Sequence, residues 1–157
     1  MTPLYGRAPI GQRLPSLEPL ASYKSQTFIA GLRCDELVAP WTLDGAMNKA
    51  CFLAYLETQL GPTLPPRSVV IMDNLSSHKV AEVAQTLARF GAWPLYLPPY
   101  RPDWNPIEMA FSKIKAQLRR ANARTLDALW SNLADICNMF TPTECWNFYT
   151  AAGYEPT

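Results

Sequence analysis

The run SVVIMDN, residues 68–74, is a short continuous apolar stretch that ends on a carboxylate. An apolar run of this length without alternation reads as a strand buried on both faces, and such strands belong to parallel sheets. Asp73 then stands at the carboxyl end of the strand, the edge where sites gather in open α/β sheets. Next comes KVAEVAQTLARFG (79–91), with Val80, Val83, Ala84 and Leu87 on one helical face and Gly91 as a stop. AWPLYLPPY (92–100) reads as a second strand, which a right-handed crossover returns beside the first.

Working outward, SYKSQTFIAGLR (22–33) and ELVAPWTLDG (36–45) read as two strands of an antiparallel hairpin, the second ending in an Asp-Gly turn. NKACFLAYLETQL (48–60) spaces Phe52, Leu53, Leu56 and Leu60 as an amphipathic helix. Downstream, a helix from Pro106 to about Ala121 buries Ile107, Phe111, Ile114 and Leu118, and two further helical segments follow in 125–140 and 142–154. Strands interleaved with helices predict an α/β chain with a mixed sheet. Its core is expected in about 1–121, with C-terminal helices in 122–157, as one domain.

The helix of PDWNPIEMAFSKIKAQLRR (102–120) starts on the same edge of the sheet as Asp73, so Glu108 and Asp73 can converge across the 34 residues between them. Glu108 also has an ordinary structural reading. Asn105 is a good N-cap, Pro106 suits the first helical position, and a carboxylate at the third can reach back to the cap amide. Glu108, Ser112, Lys115 and Arg119 share one stripe of the helix, beside the apolar one. From Glu108 to Asp127 the run Lys113, Lys115, Arg119, Arg120 and Arg124 has no acid among it. Such a run is either a solvated face or a track for phosphates. Two carboxylates beside it are what metal-assisted phosphodiester chemistry needs: Mg²⁺ takes oxygen ligands from one or two carboxylates plus substrate phosphates.

Composition narrows the class. Of 157 residues, 48% are hydrophobic and 17% charged, which excludes a disordered chain. No apolar run approaches a membrane span and no signal peptide opens the chain, so a cytoplasmic protein without membrane contact is expected. Cys34, Cys51, Cys137 and Cys145 form no CxxC pair and there is one histidine, so a zinc site is not expected and the thiols read as free. Trp93, Trp104, Trp130 and Trp146 read as core or loop anchors.

VVIMDNLSSHK (69–79) followed by LPPYRPDWNPIEMAFSKIKAQLRR (97–120) resembles the insertion-sequence branch of the mariner-type DDE transposases. YGRAPIGQRL, TFIAGL and LDGAMN resemble that family's upstream strands, so the likeness runs along nearly the whole chain. The resemblance implies an RNase H-like fold, a mixed sheet with flanking helices. It implies cutting of DNA at transposon ends and joining to target DNA, with three acids holding Mg²⁺ or Mn²⁺. Asp73 matches the second acid and Glu108 the third. Lys113, Lys115, Arg119 and Arg120 would contact DNA backbone, as would His78, which otherwise reads as a loop cap; Asn74 reads as the residue that turns the chain after the strand, with support of the metal ligands as its second reading.

The family's first acid lies on a strand just before the segment matching TPLYGRAPIGQRL, and no residue of this sequence matches it. Asp35, Asp44 and Asp103 read as turn residues rather than substitutes. The resemblance makes the unmatched strand central, between the hairpin and the Asp73 strand, so both of those edges are expected to lack a partner. The expectation is therefore an incomplete catalytic domain, inactive alone. It would work with the upstream half of a split transposase or as a homo-oligomer. The alternative is a non-catalytic chain that binds DNA or full-length transposase.

Overall fold

The structure, a computed structural model, describes residues 9–11, 26–74, 81–99, 101–121 and 125–155. Strands β1 (Gln26–Leu32) and β2 (Leu37–Asp44) form the expected antiparallel hairpin, in register from Gln26 opposite Asp44 to Leu32 opposite Leu37. Between the Ile29–Trp41 and Gly31–Val38 pairs, Ala30 faces two residues, Ala39 and Pro40. That is a β-bulge, with Ala39 at φ 49. Pro40, which has no N–H to give a ladder, falls where the ladder is already broken.

Helix α1 (Lys49–Tyr55) is capped by Asn48, whose Oδ1 accepts from the Cys51 amide at 2.9 Å. The single helix expected over 48–60 is corrected here. From Leu56 to Leu60 the backbone widens to a π turn and closes with a 3₁₀ turn at Gly61–Thr63. Thr58 Oγ1 donates to the Ala54 carbonyl at 2.7 Å, and Pro62 has no N–H with which to continue the α pattern.

Strand β3 (Val69–Met72) pairs in parallel with β4 (Trp93–Tyr96) through helix α2 (Ala81–Arg89), which bears out the crossover. Both strands are shorter than expected. On α2, Val83 and Leu87 are buried as read from the spacing, but Ala84 faces solvent and Thr86 takes its place in the core. Helices α3 (Pro106–Ala121), α4 (Leu126–Cys137) and α5 (Pro142–Ala151) complete the order. Among the described residues no helix is long and apolar enough to cross a membrane.

Two cores divide the molecule. Val38, Phe52, Tyr55, Leu56, Leu60, Met72, Val83 and Leu87 form one, with Ile29 against it. Ala110, Ile114, Leu133, Ile136, Phe140 and Cys145 form the other, with Phe28, Leu32 and Phe111 against it. Successive residues of β1 point to opposite faces, so Phe28 and Ile29 reach different cores and the hairpin is the wall between them. Tyr149 on α5 fastens this wall, its hydroxyl donating to the Leu32 carbonyl at 2.6 Å.

Among the described residues the strands do not make one sheet. β1 pairs with β2 and β3 with β4, as two separate two-stranded sheets. Trp93 and Trp104 are half-exposed and Trp146 also opens to solvent, so of the four tryptophans read as anchors only Trp130 packs into a core.

Candidate functional site

The site forms where β3 and β4 both end. Their last pair is Met72 opposite Tyr96, and the Leu97 amide donates to the Met72 carbonyl at 2.9 Å, so the two chains leave the sheet at one rim. Asp73 follows directly on one side. On the other, a 3₁₀ turn at Pro102–Trp104 leads into α3. Asn105 is buried at this junction and Glu108 is exposed in the first turn of the helix.

Asp73 and Glu108 line the same hollow, with Asn74, Leu97, Arg101 and Asn105 beside them. They also share the end of a larger cleft that runs between β1 and β3. The two acids read from sequence as a pair are therefore neighbours around one opening.

Glu108 is not tied up as a helix cap. The Asn105 amide that a capping carboxylate would reach donates instead to the Pro102 carbonyl at 3.0 Å, and the Glu108 amide donates to the Asn105 carbonyl at 3.1 Å. Asn74 Oδ1 is buried and accepts no hydrogen bond from a described residue. A buried acceptor without a donor is costly in an apolar setting and inexpensive beside a cation. Two carboxylates and an open amide oxygen form an oxygen-only donor set, which suits a hard divalent ion. Among the described residues there is no cluster of three or more acids, histidines or cysteines. Asp35 pairs with Arg33 at 3.3 Å, Asp44 accepts from Gln26 at 2.6 Å, and Asp103 pairs with Arg101 at 3.5 Å. Asp35 and Asp103 are engaged in local turn contacts, and Asp44 in a cross-strand contact at the open end of the hairpin.

The basic residues of α3 separate into two groups. Lys115, Arg119 and Arg120 are exposed, the first two on the stripe that Glu108 begins. Lys113 is a correction to the expected phosphate track. Its ammonium is paired with Glu144 of α5, reaches the Met139 carbonyl at 3.4 Å and lies 4.3 Å from the Phe140 ring centre. A cation so occupied joins α3 to α5 rather than facing a ligand. His78 lies outside the described residues.

Arg101, which sequence reasoning passed over, stands at the mouth of the hollow with its guanidinium 4.9 Å from the Trp104 ring centre. Its position in a proline-rich loop gave no periodic signal to read.

Residues 1–130 match the family described as DDE superfamily endonuclease. No curated protein matches the chain. Among solved structures, the Mos1 strand transfer complex is similar with a TM-score of 0.77 and 18% identity, covering 94% of this chain and 46% of that one. The catalytic domain of Mos1 mariner transposase is similar with a TM-score of 0.68 and 16% identity, covering 82% of this chain and 74% of that one. The Mos1 mariner paired-end complex with Mn has a TM-score of 0.72 at 16% identity, over 94% and 46% of the two chains. At such identities the likeness is one of fold, and it bears out the RNase H-like α/β class. The chain spans about half the length of the Mos1 chains in those complexes.

Proposed function

Because the chain belongs to the DDE superfamily endonuclease family, we propose that it carries part of the catalytic centre of a DNA transposase, with Asp73 and Glu108 as metal-holding carboxylates. The observation that carries this reading is their convergence on one opening although 34 residues lie between them in sequence. One of the similar Mos1 structures is a complex with Mn and another has Mg. Either ion fits the oxygen donors of this site. When bound, such an ion activates an attacking oxygen and stabilises a leaving one.

The chain's own residues supply position and charge. Asp73 is fixed at the end of a parallel strand and Glu108 in the first turn of a 16-residue helix, so neither carboxylate depends on a long loop for its place. Arg101 meets a phosphodiester oxygen at the mouth, in a charge-assisted hydrogen bond. Lys115, Arg119 and Arg120 hold backbone phosphates of transposon-end and target DNA, with His78 as a further contact. The Asn74 side-chain oxygen would complete the donor set beside the two carboxylates.

Phosphoryl transfer relies heavily on positioned charge, and the described residues offer these two carboxylates with no third acid beside them, so cutting by this chain alone is expected at or near background. The lack of an acid triad among the described residues favours a second reading, in which the chain binds DNA or a longer transposase without cutting.

Manganese binding followed by electron paramagnetic resonance tests the site. Asp73→Ala and Glu108→Ala are each expected to weaken binding about tenfold or more, because each removes a ligand charge. Manganese binding indifferent to both substitutions would overturn the assignment. A magnesium-dependent nicking rate that Asp73→Ala abolishes would overturn the expectation of background activity.

A further inference from the structure

Trp104 stands in the 3₁₀ turn that leads into α3 and is 43% exposed. A lone exposed apolar side chain is ordinary on a protein surface. The surroundings of this one are not. Pro102 and Asn105, before and after it in sequence, line the hollow that holds Asp73 and Glu108, and so does Arg101. The Arg101 guanidinium also lies 4.9 Å from the centre of the Trp104 ring, so ring and hollow are one side chain apart.

The indole is also held in place from its main chain. The Trp104 amide donates to the Arg101 carbonyl at 3.2 Å, and the Trp104 carbonyl accepts from the Tyr154 hydroxyl at 2.9 Å. Tyr154 packs edge-on against Tyr149, with ring centres 5.9 Å apart, and Tyr149 donates to the Leu32 carbonyl of β1. A surface turn is thereby tied, through α5 and the residue that follows it, to the hairpin. Asp103 lies 3.5 Å from the guanidinium, but an exposed pair of this kind contributes little and leaves the charge available. A ring positioned in advance gives up little freedom when a flat partner settles on it.

An aromatic plane, a cation and two carboxylates side by side match the parts of one nucleotide. Its phosphate suits Arg101 and an ion held by the acids, and its base is a flat apolar plane a few bonds away. Inside a duplex both faces of a base are covered by its neighbours. A base that has left the stack has a face free for the indole.

We propose that Trp104 is a stacking platform for one unstacked base of the DNA strand whose phosphate enters the hollow, with Arg101 bridging ring and phosphate. This role rests on the DNA-holding function proposed for the hollow and the α3 face. It requires no particular base, because every base has a π face to offer.

The test measures fluorescence anisotropy with the whole chain, in magnesium, on two fluorescein-labelled DNAs. Each is the same duplex with a short single-stranded 3′ end, which carries bases in one and abasic sites in the other, so phosphate charge is equal. The base-bearing end should bind about tenfold more tightly. Trp104→Ala should erase that gap, and Trp104→Phe should keep much of it. Equal binding of the two DNAs by the wild-type chain would overturn the platform and leave the DNA-holding role standing. Binding of neither would overturn both. A gap that persists in a Trp104→Ala chain with an unchanged melting temperature would place the base elsewhere and overturn the proposal. The first comparison uses the wild-type chain alone, so a folding failure cannot imitate a negative result.

Discussion

Gly61→Ala is the substitution whose cost the structure states most directly. A Cβ built at Gly61 would lie 2.3 and 2.5 Å from Phe90 Cε2 and Cδ2, and 2.6 Å from the Leu56 carbonyl oxygen. Each distance is well inside van der Waals contact. The backbone at Gly61, φ −50 and ψ −49, is an ordinary helical conformation that alanine adopts freely, so no strain of its own is added. The phenyl ring can swing aside, but the carbonyl belongs to the π turn and accepts from Gly61 itself. Overpacking of this kind costs about 1–3 kcal/mol, and the less flexible unfolded chain returns about 0.4–1 kcal/mol of that. The net expectation is destabilisation on the order of 1–2 kcal/mol, read as a melting temperature about 2–8 °C lower for a chain of this length. Circular dichroism melts of the wild type, Gly61→Ala, Phe90→Ala and the double variant make the comparison. If the ring is the main obstacle, the cost of adding the methyl is smaller in the Phe90→Ala background. If the carbonyl is, the cost is unchanged. A Gly61→Ala variant as stable as the wild type would refute the packing argument.

Lys113→Ala should lower stability by about 1–2 kcal/mol by stranding the half-buried Glu144, while the salt dependence of DNA binding stays as it was. Arg119→Ala and Arg120→Ala should do the reverse, each reducing the slope of log affinity against log salt by about 0.9 with little change in melting. Tyr149→Phe should cost about 1 kcal/mol by removing the bond to the Leu32 carbonyl, measured by urea unfolding. Burial raises the Tyr55 and Tyr149 hydroxyls above their ordinary value of 10.0. The neutral forms are thus favoured in the folded state. Their contribution to stability is whole below pH 10 and is lost as pH climbs past it, and Tyr149→Phe should flatten that alkaline decline.

The fold was legible where side-chain period and chain direction agree. The run 68–74 announced a parallel strand because it is apolar without alternation, and its neighbour across α2 followed from handedness alone. The α3 stripe was equally plain, with Ile114 buried and Lys115 and Arg119 exposed as the spacing required. What stayed hidden were effects of atoms on backbone: the π turn at Leu56–Leu60, set by Thr58 and Pro62, and the bulge at Ala39–Pro40. In the site, the convergence of Asp73 and Glu108 was readable, since topology puts strand ends and the following helix start on one edge. The fate of Lys113 was not. Only the approach of α5 shows that its charge is already met by Glu144. Arg101 escaped notice because an irregular loop carries no period.

The partition of the interior has a bearing on how the molecule comes apart. With no backbone ladder joining the two strand pairs among the described residues, cohesion between the halves rests on the β1–β2 hairpin, whose neighbouring residues are rooted in different interiors. A polypeptide built this way can melt in two stages, with the α3–α5 half loosening while the β3–α2–β4 half persists. Whatever stiffens that hinge-like hairpin would fuse the stages into a single cooperative event.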